Sequence, residues 1–430
     1  MTKLLDRTHG YYNEALETRH RSERSKFHDY QVVEIVRHAH KNCQAFYERF
    51  EKTKLTLEEI KGMADLARIP VFHKDDLINL QEKNPPFGGL LGVPEHEVSW
   101  IFMSPGPIYD PVLADNEARE RDMACALYSC GFRKRDKVLN TWSYHMVPAG
   151  MGIDLGLRYM GCTVIPAGTG NTELQVEILR RLNVNGFIGT AGFLMNILKK
   201  AEETGLNLRK DLNLQVAMAG GEPGGGPIRE LFEKEYGITT GDFYGIADVG
   251  PIAYECKEKK GMHLIDNVIA EIVDPQTGEV LPPGEVGEVA ITNFNRAYPL
   301  IRFGTGDLSS LDLTDCPCGR TSIRITKILG RIGDALRVRG MFIHLKQIKQ
   351  VMESFPEINV FQIVVNRPKY RDNLILRVEL KEVTVNKGGL KRSLSQKFRE
   401  ICRLLPDEVI FSELGELPGE RKIFADEREY

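Results

Sequence analysis

KVLNT at Lys137–Thr141, CTVIP at Cys162–Pro166, GFIGT at Gly186–Thr190 and LQVAMA at Leu214–Ala219 are four short apolar runs, each followed by a segment long enough for a helix. From 117 to 245 this alternation predicts a mostly parallel sheet with helices on its faces. In such sheets ligands lie beyond the carboxyl ends of the strands. The loops at those ends are Ser143-Tyr144-His145-Met146, Gly168-Thr169-Gly170-Asn171-Thr172, Thr190-Ala191-Gly192 and Gly220-Gly221-Glu222-Pro223. Their glycines let a ligand approach the backbone, and they equally suit ordinary turns between strand and helix.

Outward from this centre the chain changes character. Residues 22 to 95 read as helices, and Val32, Val36, Ala39, Cys43, Phe46 and Phe50 form one apolar face at steps of three and four. Between 268 and 294 short β runs are separated by the turn signals Asp274–Glu279 and Pro282–Glu285. Beyond a glycine-rich segment at 330 to 334, helices over Phe342–Phe355 and Gly389–Leu404 alternate with strands over Asn359–Asn366, Asn373–Lys381 and Glu408–Glu413. The fold class expected is therefore α/β. A large N-terminal domain, 1–332, combines mostly parallel, helix-covered sheet with a β-rich part. A hinge joins it to a small α+β domain, 333–430.

The most informative chemistry lies in Pro299–Gly340. Asp307 follows the glycines of Arg302-Phe303-Gly304-Thr305-Gly306. A carboxylate accepts hydrogen bonds at two oxygens and so suits a vicinal diol such as a ribose. Arg331 adds a fixed fork of donors suited to ribose or phosphate oxygens. A surface turn capped by an aspartate is the plain alternative. Cys316 and Cys318, together with Cys256 and His263 some fifty residues earlier, supply three thiolates and one imidazole, the donors of a closed tetrahedral zinc site. Four unlinked loop residues are the alternative there.

Composition excludes several classes. The chain has 430 residues, 42% hydrophobic and 27% charged, with a net charge of −3. That is ordinary for a globular protein and gives no basic footprint for nucleic acid. No run of eighteen apolar residues suggests a membrane span, and the first twenty residues hold no apolar signal core, which points to the cytoplasm. Eight cysteines in a chain of this length do not make a disulfide framework.

The segments I-R-F-G-T-G-D, C-P-C-G-R-T and I-L-G-R-I-G-D-A-L-R-V-R-G resemble the phenylacetate–coenzyme A ligase family of the acyl-adenylate-forming superfamily. So do A-D-L-A-R-I-P-V-F-H-K-D-D-L at 64 to 77, A-G-G-E-P ending at Pro223, and Asp242-Phe243-Tyr244-Gly245-Ile246-Ala247-Asp248. The resemblance implies an ATP-dependent ligase that makes an acyl-adenylate from a small, aryl-type carboxylic acid and passes the acyl group to coenzyme A. It implies nucleotide contacts at Gly221, Glu222, Pro223, Phe243, Tyr244, Gly245, Asp307 and Arg331. Acyl contacts fall at Tyr144, His145 and Gly220, with Phe193 and Met195 as further lining. It implies magnesium on Asp248, and Lys422 neutralising charge between carboxylate and α-phosphate. The small domain then rotates about 333–334 to admit the thiol. The family's Ser/Thr/Gly-rich phosphate loop ending in lysine is replaced by Phe102–Pro111, where Pro105, Pro107 and Pro111 lack N–H groups and Asp110 is expected to repel phosphate. That departure favours one other reading, a non-catalytic nucleotide-binding relative. An adenylate-forming enzyme with a non-CoA acceptor is a further alternative, and a homodimer is also open.

Overall fold

Apolar residues at steps of three and four place Val32, Val36 and Ala39 on one face of helix α2 (Arg21–Asn42), which follows the single turn α1 (Glu14–Glu17). Cys43 adopts an extended conformation that ends α2 and starts α3 (Gln44–Glu51), so Phe46 and Phe50 turn into the same core. The structure is a computed structural model. It describes residues 6–104, 106–114, 116–221, 225–275, 277–332, 335–339, 341–368, 370–381, 387–417 and 423–428. The expectations for Pro105, Glu222, Pro223, Gly333, Asp334 and Lys422 lie outside these described residues. The chain divides into two compact units, one of Met1–Gly221 with Ile228–Gly330 and one of Glu222–Pro227 with Arg331–Tyr430.

In the first unit, β1 (Phe72–His73) runs directly into α4 (Lys74–Lys83). A hairpin of β2 (Trp100–Ser104) and β3 (Ile108–Val112) follows, then α5 (Glu117–Ser129). The predicted parallel sheet comes next: β4 (Lys137–Asn140), α6 (Ala149–Met160), β5 (Thr163–Pro166), α7 (Thr172–Arg181), β6 (Gly186–Gly189), α8 (Ala191–Glu203), β7 (Val216–Ala219) and β8 (Thr239–Gly241). All four strand pairs are parallel, in the order β5–β4–β6–β7–β8. Every residue of β6 and β7 is buried, as expected for strands covered on both faces. The chain leaves β4 for β5 on one side and crosses to β6 on the other, which opens a crevice at the carboxyl end of β4.

Two smaller sheets make the β-rich part. One has the order β15–β16–β11–β10–β9, from β9 (Phe243–Ile246), β10 (Gly250–Glu255), β11 (Met262–Leu264), β15 (Leu311–Asp312) and β16 (Arg324–Ile325). The other has the order β1–β14–β13–β12, from β12 (Val268–Val273), β13 (Gly287–Asn293) and β14 (Phe303–Ser309). Arg302, just ahead of β14, is fully buried. Its guanidinium pairs with Glu271 at 2.9 Å and donates to the carbonyl oxygens of Ala67, Ile69 and Gly278. It thus ties the N-terminal helices to this sheet. Burial pushes the Glu271 carboxyl up, and Arg302 opposes that. Replacing Arg302 with methionine strands Glu271 and should cost about 3–5 kcal/mol; urea unfolding of the variant measures it.

The second unit, taken alone, is the expected small α+β body. Its sheet runs Glu408–Ser412, Asn373–Leu380, Ile358–Asn366, Phe424–Asp426, with the Lys387–Cys402 helix supplying Leu390, Leu394 and Phe398 to its core. One boundary differs from expectation. Met341–His344 is a strand paired antiparallel with Ala335–Val338, and the helix begins only at Leu345. The run Met341-Phe342-Ile343 finds a strand partner that local helical periodicity does not reveal. Among the described residues no helix is long and apolar enough to cross a membrane.

Candidate active site

The described parts of the strand-end loops named from the sequence follow the carboxyl ends of the parallel strands β4, β5, β6 and β7. At the end of β4, Asn140 donates to the Tyr144 hydroxyl at 2.9 Å and to the Gly150 carbonyl, which fixes the loop that carries Tyr144. His145 next door is exposed, Phe193 is half-buried, and Met195 lies in the core of α8. At the end of β7, Gly220 is buried against the next loop. A Cβ there would come within 2.5 Å of an Asp242 carboxylate oxygen and 3.2 Å of the Phe243 carbonyl, so a larger residue would require Asp242 to shift. Thr190 and Asn171 cap α8 and α7, so these polar loop residues serve helix starts.

The strongest convergence lies between the two smaller sheets. Asp307 sits on β14, where pairing with β13 is irregular between Glu288 and Ala290 and Gly306 has φ +75°. Such a bulge re-aims the side chain that follows it. Asp307 is 6% exposed, and it accepts the Tyr244 hydroxyl at 2.8 Å. Tyr244 was expected at adenine. Its phenol orients Asp307, and its ring, 8% exposed, lies beside the half-buried Phe243. The backbone N–H of Gly306 is held by Glu288, whose carboxylate also lies 3.5 Å from His73 and raises the His73 pKa.

Asp248 stands in the β9–β10 turn and is 7% exposed. One oxygen accepts Lys74 Nζ at 3.1 Å; the other lies 3.5 Å from the Ser104 hydroxyl. Lys74 reaches it because β1 pairs in parallel with β14 through Phe72 and His73, which starts α4 beside the site. Two turns further along α4, Gln81 clamps the hairpin by bonding both the N–H and the carbonyl of Tyr109 and also donates to the Tyr298 hydroxyl. Sequence reading passed over Lys74 and Ser104; Lys74 was visible only as part of the H-K-D-D-L match. It also misplaced Asp110. The segment expected as a phosphate-repelling loop is a tight hairpin with Asp110 opposite Phe102, buried beneath rather than projecting from it. Arg331 belongs to the second unit.

The four metal-ligand candidates also come together. Cys256 follows β10, His263 lies on β11, and pairing of β16 with β11 brings the Cys316–Cys318 turn back to them. Their ligand atoms all lie within 4.8 Å of one another. Cys256 Sγ is 3.6 Å from Cys316 Sγ, and Cys318 Sγ is 3.4 Å from His263 Nε2. A tetrahedral zinc with ordinary bond lengths requires sulfur–sulfur and sulfur–nitrogen separations of about 3.8 and 3.6 Å. The other ring nitrogen of His263 faces the Ser322 carbonyl at 3.2 Å, the usual way a ligand imidazole is oriented. A hydrogen bond from Cys256, with His263 alongside, holds the Cys318 thiol far below its usual range.

A model of the AMP-binding enzyme family matches residues 118–295. The phenylacetate–coenzyme A ligase of Thermus thermophilus is 30% identical over 411 residues, which span 93% of this chain and 88% of that protein. The chain belongs to the phenylacetate–coenzyme A ligase family. The Pseudomonas putida member is 32% identical over 80% of this chain and 79% of its own length. The adenylate-forming fold is further shared with 2-hydroxyisobutyryl-CoA ligase in complex with 2-HIB-AMP and CoA, at a TM-score of 0.89 and 23% identity over 97% of this chain and 93% of that one. Within the family, the Asp307–Tyr244 pair, the Asp248 turn and the cysteine knuckle stand on the positions that first suggested the resemblance.

Proposed function

We propose that this protein is an ATP-dependent carboxylic acid–coenzyme A ligase. In the first half-reaction the acid's carboxylate oxygen attacks the α-phosphorus, giving acyl-adenylate and releasing pyrophosphate. In the second, the coenzyme A thiolate attacks the acyl carbon and AMP leaves. The observation that supports this best is the Asp307 carboxylate, buried, oriented by Tyr244 and carried on a bulge. An acceptor-only group so placed suits the two hydroxyls of a ribose. Four relatives named phenylacetate–CoA ligase favour an aryl acid as substrate. Tyr144, His145 and Gly220 are the residues proposed for the acyl group, and Gly221, Glu222, Pro223, Phe243, Tyr244, Gly245 and Arg331 complete the proposed nucleotide contacts. Asp248, a hard oxygen donor, would hold magnesium, which neutralises phosphate charge. Cys256, His263, Cys316 and Cys318 would hold zinc in a closed, structural role. ATP and coenzyme A as co-substrates fit a cytoplasmic enzyme.

The test is acid-dependent exchange of labelled pyrophosphate into ATP across a panel of aryl and short hydroxy acids, followed by thioester formation on adding coenzyme A. Exchange without thioester rejects coenzyme A as acceptor; no exchange with any acid rejects adenylation. Asp307→Ala removes a charge-assisted contact made to the nucleotide and should weaken ATP binding roughly tenfold to hundredfold, read by titration calorimetry.

A further inference from the structure

We propose that Glu288 is the positioning residue that aims Asp307 at the nucleotide ribose, with the His73 imidazole as its counter-charge. This rests on the adenylation reading above. β13 and β14 pair Glu288 with Leu308 and Ala290 with Gly304, so Val289 alone faces Thr305, Gly306 and Asp307. β14 therefore bulges just where Asp307 leaves it, and a bulge takes backbone N–H groups out of the ladder. Side chains take the ladder's place. The Gly306 N–H donates to Glu288 Oε1 at 2.9 Å, the Asp307 N–H donates to Thr305 Oγ1 at 3.1 Å, and the Thr305 hydroxyl donates to the Val289 carbonyl at 2.8 Å. Gly306, at φ +75°, makes a turn that a residue with a side chain resists. Glu288 thus fixes the residue before Asp307, and Thr305 fixes the backbone of Asp307 itself.

Glu288 is 2% exposed. A carboxylate so buried is costly without a counter-charge. His73 supplies one. β1 pairs with β14 so that His73 stands opposite Gly304, and its Nδ1 lies 3.5 Å from the same Glu288 oxygen that holds Gly306. The pair sits over Gly304, where a Cβ would come within 2.5 Å of that oxygen and 2.7 Å of the ring nitrogen. The charged groups facing His73 are Glu288 on β13 and Asp75 and Asp76 at the start of α4. Glu288 raises the imidazole above its ordinary 6.5; burial opposes this, and Asp76 and Asp75 reinforce it. Below that titration the ring is a cation and the pair is complete. As pH rises through it the positive half is lost. The buried carboxylate, left with a neutral ring, is then drawn toward water and away from Gly306.

The experiment measures, by titration calorimetry on the full chain, how strongly ATP is preferred over 2′,3′-dideoxy-ATP. The two nucleotides carry the same phosphates, so the ratio of their affinities reports the ribose hydroxyls. Wild type should prefer ATP by roughly tenfold or more, as expected for charge-assisted hydrogen bonds to one carboxylate. That preference should shrink as pH rises from about 6 to about 9. Glu288→Ala should remove most of it while dideoxy-ATP binds as before. Glu288→Gln, which keeps an acceptor for the Gly306 N–H, should restore most of it without pH dependence. A preference that survives Glu288→Ala, or an equal loss for both nucleotides, overturns the positioning role. His73→Gln, at a half-exposed position, keeps the proposal testable if the alanine variant does not fold. It should hold the preference at the wild-type high-pH level throughout. A flat wild-type profile, or a His73→Gln profile identical to wild type, overturns the counter-charge. Wild type that binds ATP and dideoxy-ATP alike rejects the ribose reading itself, and this proposal with it.

Discussion

Stripping the proposed zinc from the Cys256–His263–Cys316–Cys318 quartet should unfold the β10–β11 turn and release the N-terminal segment. The quartet does more than close a turn. The Tyr11 hydroxyl donates to the Cys318 carbonyl at 2.8 Å, and Arg320, two residues on, forms a buried pair with Glu17 at 2.7 Å. Thr321 bonds the Glu17 and Arg19 carbonyls. The segment from Tyr11 to Arg19 is therefore fastened to the cysteine knuckle. Structural zinc contributes on the order of 10 kcal/mol to small domains that depend on it. With chelator, proteolysis should begin within residues 6–20 and the unfolding temperature should fall well below that of the metal-loaded protein. Cys318→Ser should do the same without chelator. Cys130→Ser, at a buried cysteine outside the quartet, serves as the control and should cost far less. Zinc content near zero in protein purified without chelator rejects the assignment outright.

The quartet was legible because its chemistry is carried by residue type: paired thiols with a nearby imidazole are the donors of a tetrahedral metal site. The parallel sheet was legible for a different reason. Strands covered on both faces read as unbroken apolar runs, and Gly186–Gly189 and Val216–Ala219 fall within two residues of expectation. What stayed hidden depends on distant partners. Lys74 and Asp248 are 174 positions apart, and a lysine opening a charged helix looks solvated until β1 is seen to pair with β14. Asp110 read as a loop residue because prolines surround it; the hairpin that pairs it with Phe102 is local, but it is clamped by Gln81 of α4, which lies outside that stretch. Tyr244 was named for its ring; that its hydroxyl also reaches Asp307, sixty-three positions away, is a further contact that the sequence did not show.

Lys422→Ala should abolish formation of acyl-adenylate, by roughly 10²- to 10³-fold at least, the usual loss when a donor aimed at developing charge is removed. The reasoning is electrostatic. An anionic carboxylate must approach an anionic α-phosphate, and the charge on the phosphoryl oxygens grows as the new bond forms. A flexible ammonium can sit between the two and move with them, which a planar guanidinium cannot, so Lys422→Arg should rescue little. Because the residue is proposed for the first half-reaction alone, the variant should bind ATP nearly as the wild type does. It should also convert supplied acyl-adenylate and coenzyme A to thioester at close to the normal rate. Asp307→Ala should show the opposite split, weakening nucleotide binding in both halves. If Lys422→Ala exchanges pyrophosphate at the wild-type rate, the charge must come from elsewhere; Lys74, beside Asp248, is then the side chain to replace next.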